Sequence, residues 1–126
     1  MTVFHDTILA YTAAIGALDA DAFAACFAPD SELHDPVGAP PHYGREGARA
    51  MLASFQPLVE SIHFRPGEIR LHGRSAAFTW VIEAKGKNGR AASAEGIDVI
   101  EFDETGKIVR TNGYWDPGPF VAALTV

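Results

Sequence analysis

The chain has 126 residues, of which 48% are apolar and 21% charged, and sixteen acidic against ten basic residues give a net charge of −6. This length and composition predict a single globular domain over residues 1–126 and exclude the disordered and fibrous classes. The acidic balance argues against a nucleic-acid partner, because the sequence has no basic stripe that could neutralise phosphates.

The N-terminal part of the chain has the periodicity of helices. Apolar spacings of four, three, four and three predict a first helix with one buried stripe, which consists of Phe4, Ile8, Tyr11, Ile15 and Leu18. Thr2 is positioned to cap this helix. A short second helix is predicted over Ala22–Phe27, with Asp19 or Asp21 as its cap and Pro29 as its end.

A strand, a loop and a third helix are predicted next. Ser31–Asp35 alternates between two sets of side chains and predicts a short strand that runs into Pro36. The following residues predict a fixed loop because they are rich in proline and glycine, namely Pro36, Gly38, Pro40 and Pro41. Gly44–Phe55 returns to helical spacing and predicts a third helix that ends before Pro57.

The second half of the chain has the pattern of β-strands. Four runs are separated by turn-like segments: His63–Leu71, Ala76–Ala84, Ala91–Phe102 and Lys107–Trp115. Asn88-Gly89 is the strongest hairpin signal among the turns. Helices followed by an antiparallel set of strands predict an α+β fold rather than a parallel sheet. A curved sheet wrapped on the first helix would enclose an apolar cavity of ligand size.

Three polar side chains stand in apolar company, and each also has a purely structural interpretation. Tyr11 lies on the buried helix stripe, where core tyrosines are common. Asp98 shares a strand face with Ile100 and Phe102, so it is either protonated, paired with a cation, or solvated on an open face. Asp35 precedes Pro36, a pattern typical of turns. These patterns alone do not name a reaction.

No motif in the sequence predicts a metal or a cofactor. The spacing of a helical zinc site is missing from the five histidines, which are His5, His34, His42, His63 and His72. A phosphate loop and a dinucleotide fingerprint are also missing. Cys26 is the only cysteine, and no apolar run has the length of a membrane span. We therefore expect an unexported, cytoplasmic protein with no membrane partner.

Two segments carry a resemblance to a known family. Leu33–Pro41 reads Leu-His-Asp-Pro-Val-Gly-Ala-Pro-Pro and is followed by Tyr43-Gly-Arg-Glu, and Ile97–Ile108 reads Ile-Asp-Val-Ile-Glu-Phe-Asp-Glu-Thr-Gly-Lys-Ile. Both resemble bacterial ketosteroid Δ5-isomerases, which belong to the NTF2-like or SnoaL-like superfamily, and the similarity extends from Leu9 to Trp115. The resemblance implies an NTF2-like cone, in which N-terminal helices pack on a curved, antiparallel or mixed sheet around an apolar cavity.

The resemblance also implies roles for individual residues. Asp35 corresponds to the family's general base, and Tyr11 and a protonated Asp98 correspond to the two donors that stabilise the enolate oxygen; the family is a well-known case of carboxyl groups held in opposed environments. Trp115 stands where some members place a tryptophan near the base. The implied substrate is a small, apolar, steroid-like ketone, and neither a metal nor a cofactor is required. A homodimer formed through the outer face of the sheet is also expected.

The substrate cavity is expected to include Trp115, Leu52, Phe27, Phe55 and Val37. Two of these positions depart from the family pattern, because some isomerases carry supporting tyrosines where this chain has Phe27 and Leu52. Two further functions stay open at this point. One is another enzyme of the same fold, such as a polyketide cyclase or a dehydratase, in which an aspartate or a histidine acts as acid–base in the cavity, and His34, His42 and His63 keep it open. The other is a non-catalytic module that binds an apolar ligand.

Overall fold

The computed structural model describes residues 2–126, and its helices confirm the helical half of the predicted α+β fold. The helices are α1 (Val3–Ala17), α2 (Ala20–Ala25), α3 (Gly44–Ala53) and α4 (Gly118–Thr125). The Thr2 side chain caps α1 by accepting a hydrogen bond from the backbone N–H of His5 at 3.2 Å. Asp19 caps α2 in the same way, through the N–H of Ala22 at 3.0 Å.

The strands form one curved, mixed sheet that does not close into a barrel. They are β1 (Phe27–His34), β2 (His42–Tyr43), β3 (Val59–Pro66), β4 (Arg70–His72), β5 (Ser75–Gly86), β6 (Ala91–Phe102) and β7 (Ile108–Tyr114). The order across the sheet is β2-β1-β7-β6-β5-β3, with β4 pairing to β5. The β1–β7 pair is parallel and the other pairs are antiparallel. This parallel pair places the end of β1 beside β7 and β6.

Several predicted boundaries were wrong, among them those of the first strand, which spans Phe27–His34 rather than Ser31–Asp35. The second helix ends at Ala25, so Phe27 begins β1, and Pro29 lies inside that strand at an interruption of its pairing with β7. The third helix was predicted to reach Phe55, but α3 ends two residues earlier, at Ala53. The predicted strand His63–Leu71 is two strands, since Pro66 has no N–H to continue the ladder.

The predicted hairpin and one unpredicted helix both shape the far end of the sheet. Asn88-Gly89 joins β5 to β6 as predicted, with Gly89 at a positive φ of 82°. The helix α4 was not predicted, because eight residues are too few to establish a helical period. Its Phe120 is buried against Trp115 and Phe55, with ring centroids 5.9 and 6.3 Å apart. This helix therefore closes one end of the apolar interior.

The inner face of the sheet and the first helix enclose the core. Ile8, Tyr11 and Ile15 form the buried side of α1, as the stripe predicts. The buried residues of β5 alternate with exposed ones, and they are Ala76, Phe78, Trp80, Ile82, Ala84 and Gly86. Within residues 2–126, no helix combines the length and the hydrophobicity needed to cross a bilayer.

Candidate functional site

A cavity of about 40 Å³ lies between the helices α1 and α3 and the inner face of the sheet. Its lining is mostly apolar: Ile15, Met51, Leu52, Phe55, Ile62, Phe64, Trp80, Ile82 and Trp115. Three polar side chains also line it, and they are Tyr11, Asp35 and Asp98. The structure thus brings the three singled-out residues into one cavity from three different elements of the fold.

Tyr11 presents its hydroxyl to the cavity from the buried side of α1. Its side chain is 1% exposed, and its ring packs against Phe23 at a centroid distance of 5.1 Å. The hydroxyl donates a hydrogen bond to Oδ2 of Asp98 at 3.0 Å. Burial, followed by the charges of Asp98 and Asp35, raises the pKa of Tyr11 well above its usual value. Tyr11 therefore remains a neutral hydrogen-bond donor at physiological pH.

Asp98 lies in the middle of β6, on the inner face that it shares with Ile100 and Phe102. The carboxyl group is 2% exposed, and Oδ1 accepts a hydrogen bond from the indole N–H of Trp80 at 3.0 Å. Burial raises the pKa of Asp98 to about 7, and the charge of Asp35 acts in the same direction. The bonds from Trp80 and Tyr11 partly offset this rise. Asp98 consequently holds a proton at pH values where ordinary carboxyl groups are ionised.

Asp35 follows the last residue of β1 and is half-buried at the cavity. The Asp35–Pro36 peptide bond is cis, and the backbone N–H of Val37 donates to the carbonyl of Gly113 at 2.8 Å, which ties this loop to β7. Trp115 donates its indole N–H to Oδ1 of Asp35 at 2.5 Å. Desolvation raises the pKa of Asp35 to about 6, and the bond from Trp115 counteracts part of the shift.

Gly113 allows the two carboxyl groups to approach each other. It lies opposite Asp98 in the β6–β7 ladder, and the parallel β1 strand delivers Asp35 to the same point. A Cβ atom at residue 113 would lie 2.5 Å from Oδ1 of Asp35 and 3.3 Å from Oδ1 of Asp98. Any other residue would therefore displace one of the acids. The charge of Asp35 accordingly raises the pKa of Asp98, because neighbouring carboxylates disfavour each other's ionisation.

The predicted lining of the cavity is partly wrong. Leu52, Phe55 and Trp115 do line it, whereas Phe27 and Val37 do not. Phe27 is fully buried behind Tyr11, with ring centroids 6.3 Å apart, because it begins β1 rather than ending a helix. Val37 is 44% exposed, since its backbone bond to Gly113 turns the side chain toward solvent. Phe27 therefore supports Tyr11 by packing, and Val37 lies outside the lining of this cavity.

Two important residues were not predicted, Trp80 and Gly113. A signal for Trp80 was present in the sequence, because it alternates with Phe78 and Ile82 on the buried side of β5 and a buried indole N–H needs an acceptor. No local signal identified Gly113, because its role depends on pairing between β6 and β7 and on the loop after β1.

Histidines do not contribute to this cavity as the structure describes it for residues 2–126. His34 instead lies beside Glu32, with Nε2 and Oε1 3.1 Å apart. Over the same residues there is no group of three or more histidine, cysteine or acidic side chains that could hold a metal ion. The chemical groups at the site are therefore two carboxyls with raised pKa values, one phenol and two indole donors.

These groups combine a base with a pair of hydrogen-bond donors in an apolar wall. The hydrogen bonds among the described residues leave Oδ2 of Asp35 without a donor, so this oxygen is free to accept a proton. The hydroxyl of Tyr11 and a protonated Asp98 lie together and can stabilise an oxygen that gains negative charge. Such an arrangement is suited to moving a proton from a carbon atom next to a carbonyl group.

Comparisons with known proteins give the same picture of the fold. A family model described as a SnoaL-like domain matches residues 8–111. A steroid Δ-isomerase of Nocardioides simplex is 31% identical over 100 residues, which are 79% of each chain. Two solved structures each have a TM-score of 0.80. SalBIII, an epoxide hydrolase/cyclase-like enzyme with a role in pyran ring formation in the polyether salinomycin, is 22% identical and matches 91% of this chain and 92% of its own.

The second structure is TerC co-crystallised with polyporic acid, at 18% identity over 99% of this chain and 100% of its own. At these identities the two structures share the fold with this chain. The family match spans most of the chain and agrees with the curated relative. Our chain therefore belongs to the SnoaL-like family, within the NTF2-like fold that the sequence predicts.

Proposed function

We propose that this protein is an isomerase that moves a C=C bond into conjugation with a ketone by intramolecular proton transfer. The observation that carries the proposal is the difference between the two acids at one cavity. Asp98 is 2% exposed and accepts hydrogen bonds from Tyr11 and Trp80, whereas Asp35 is half-buried and has one oxygen free. Burial raises the pKa of both acids, and the charge of Asp35 raises that of Asp98 further, which favours the proton on Asp98. The likeness to a steroid Δ-isomerase supports the same assignment.

The reaction begins with a β,γ-unsaturated ketone whose carbonyl oxygen lies beside Tyr11 and Asp98. The Asp35 carboxylate removes a proton from the carbon between the carbonyl and the C=C bond, and the electrons move into the carbonyl oxygen to form a dienolate. Both O–H donors stabilise the negative oxygen in a site with little water. Protonated Asp35 then returns its proton to the γ-carbon. The product is the conjugated isomer, and every group regains its starting protonation state.

The size of the cavity bears on the choice of substrate. Its volume of about 40 Å³ has room for only a few water molecules, whereas ligand cavities usually measure ~300 Å³ or more. A steroid therefore requires side chains at the entrance to move. Four of the apolar lining residues are half-buried and form the movable part of the wall: Met51, Phe55, Phe64 and Trp115. A ketone with one or two rings needs a smaller movement.

The activity is tested by following the absorbance of the conjugated enone. We expect turnover of a 3-oxo-Δ5 steroid, and of a monocyclic β,γ-unsaturated ketone, above the rate in buffer. Asp35→Asn is expected to reduce kcat by about 1,000-fold, because the amide cannot accept the proton. Asp30→Asn is the matched control, since Asp30 is exposed on β1, and its rate should not change. A rate equal to buffer with both substrates, or an unchanged rate in Asp35→Asn, would contradict the proposal.

A second candidate function is acid–base closure of a ring in a chain that carries a hydroxyl group and an epoxide. The narrow cavity favours it, because a flexible chain enters more easily than four fused rings. Asp98 would protonate the epoxide oxygen while Asp35 accepts the proton of the attacking hydroxyl. The proton then returns from Asp35 to Asp98 through solvent, which restores the starting state. Ring closure of a hydroxy-epoxide with no turnover of either enone would favour this candidate over the isomerase.

We also propose a homodimer formed through the outer face of the sheet. Three large apolar side chains are exposed there on neighbouring strands: Val81 at 40%, Ile97 at 45% and Tyr114 at 50%. Ile97 and Tyr114 are directly opposite in the β6–β7 ladder, so they form one continuous patch. Analytical ultracentrifugation should give a dimer for the unaltered protein and a monomer for Ile97→Lys. A monomer in both would contradict this assignment.

A further inference from the structure

The indole of Trp80 is a polar group at the cavity that the proposed reaction does not use. Trp80 is 4% exposed on β5, and its N–H donates to Oδ1 of Asp98 at 3.0 Å. Gly96 lies opposite Trp80 on β6, and a Cβ atom there would be 2.6 Å from Cζ2 of the indole. The absence of a side chain at Gly96 lets the indole lie across β6. Its N–H thereby reaches Asp98, two residues further along the strand.

An indole N–H is a donor and has no acceptor, so the hydrogen bond can run in one direction only. Oδ1 of Asp98 must accept, and it cannot carry a proton directed at Trp80. In the neutral acid the proton therefore lies on Oδ2. That oxygen is 3.0 Å from the hydroxyl of Tyr11. The hydroxyl of Tyr11, which donates to Oδ2 in this structure, can rotate its proton toward a substrate oxygen, so that both O–H groups donate to the same atom.

We infer that Trp80 is a positioning residue, which fixes Oδ1 of Asp98 as the acceptor and so places the acid proton on Oδ2 beside the hydroxyl of Tyr11. Without the indole, either oxygen of Asp98 could carry the proton, and only one arrangement would present both donors together. The placement of the proton depends only on the hydrogen bonds. Its use in stabilising a substrate oxygen rests on the proposed function.

Few other charges act on Asp98 from the surrounding elements. Among the lining residues that the structure describes, the titratable groups that face it are Tyr11 on α1 and Asp35 after β1. The helix α3 and the strands β3 and β5 contribute only uncharged side chains to the lining, as does Trp115. Because the bond from Trp80 favours the ionised acid, it lowers the pKa of Asp98. Trp80 thus determines which oxygen of Asp98 carries the proton and also favours the loss of that proton.

The test isolates Asp98 by measuring its titration in an Asp35→Asn background, using NMR of aspartate labelled with ¹³C at the carboxyl carbon. Adding Trp80→Phe should raise the midpoint of Asp98 by about one pH unit, the equivalent of one lost hydrogen bond. Trp115→Phe is the matched control, because its indole bonds to residue 35, and it should leave the midpoint of Asp98 unchanged. An unchanged midpoint in Trp80→Phe, or an equal shift in Trp115→Phe, would overturn the inference.

A second measurement needs no change at either tryptophan. In Asp35→Asn, the indole N–H resonance of Trp80 should move with the same midpoint as the carboxyl carbon of Asp98. An indole signal that stays constant through this titration would also overturn the inference. With Asp35 restored, Trp80→Phe should shift the alkaline limb of the pH–rate profile upward by the same amount. If the NMR shifts occur without isomerase activity in any variant, the proposed function fails while the placement of the proton stands.

Discussion

The two acids of the cavity have the same functional group but different surroundings. Asp98 is 2% exposed in the middle of β6, and both Trp80 and Tyr11 bond to it. Asp35 is half-buried in the loop after β1, and Trp115 bonds to one of its oxygens. The deeper acid has a pKa of about 7 and the shallower one about 6. Greater burial thus goes with the higher pKa, which is the order that a donor at Asp98 and a base at Asp35 would need in the proposed reaction.

The backbone also differs between the two acids, because more hydrogen-bonded strands hold it at Asp98 than at Asp35. Asp98 is held from both sides by ladder partners, Phe78 on β5 and Gly113 on β7. Asp35 lies outside the ladder, and its loop is tied to the sheet by the N–H of Val37. A fixed donor suits an oxygen that stays in one place during the reaction. A base with one free oxygen suits a proton that must move between two carbon atoms.

The largest effect expected from a change on the deep side of the site, which consists of Tyr11 and Asp98, comes from removing the hydroxyl of Tyr11. Tyr11→Phe removes one of the two donors and should lower kcat by about 100- to 1,000-fold, since the loss falls on the charged intermediate. The acid limb of the pH–rate profile should not move, because it reports ionisation of Asp35. Steady-state kinetics over a range of pH measure both quantities.

Tyr43→Phe is the matched control for this change. Tyr43 is 65% exposed at the start of α3, so loss of its hydroxyl should leave the kinetics unchanged. A fall in the Tyr11→Phe rate of less than threefold would contradict the role of its hydroxyl. A shifted acid limb would show that the two sides of the site do not act separately.

The deep side of the cavity was the more predictable from sequence. Tyr11 and Asp98 belong to regular elements: the helical period directs Tyr11 inward, and alternation along the strand places Asp98 on one face with Ile100 and Phe102 without deciding whether that face is buried. The structure shows that this shared face is the buried one. The four runs of strand residues and the Asn88-Gly89 turn are equally local features, so most of the fold could be predicted.

The shallow side depends on contacts between distant parts of the chain. Asp35 reaches the cavity because β1 pairs in parallel with β7, and no local pattern shows that pairing. Val37 was wrongly assigned to the lining for the same reason, since its direction is set by the bond to Gly113. Phe27 was wrongly assigned because the predicted second helix extends to Phe27, two residues past the observed end at Ala25. Phe27 is instead the first residue of β1, and its side chain lies behind Tyr11 rather than in the cavity. Loop direction and strand order were thus the missing information.

The next prediction replaces the deep acid with two different side chains. In Asp98→Asn the amide oxygen can accept from Trp80 and the N–H₂ group can donate to substrate, so activity should stay within about tenfold of the unaltered protein. Asp98→Ala removes the donor and leaves the indole unpaired, and we expect a loss of about 100-fold. The alkaline limb should disappear in Asp98→Asn, because nothing remains there to ionise. Equal losses in the two variants would contradict donation by a neutral Asp98.

Asp98→Asn should also change how the stability of the protein depends on pH. The folded-state pKa of Asp98 is raised from 3.8 to about 7, so folding is favoured by this group below about pH 4, and the advantage is lost as the pH rises toward 7. Asp98→Asn does not titrate. Its unfolding free energy relative to the unaltered protein should therefore increase between pH 4 and pH 8, by on the order of 4 kcal/mol. Urea unfolding at several pH values measures this, and a constant difference would contradict it.

The smallest expected effect is a change in KM when one of the half-buried apolar residues at the entrance of the cavity is made smaller. Phe55 is half-buried in the lining and packs on Phe120 of α4. Phe55→Ala enlarges the entrance without touching the acids, so it should lower KM for the steroid by about tenfold relative to the monocyclic ketone, because the steroid no longer has to displace the ring. The pH–rate profile should keep both limbs, since Asp35 and Asp98 keep their partners. Equal changes in KM for the two substrates would mean that entry is not limited at this wall, and the narrow cavity would then reflect the natural size of the substrate.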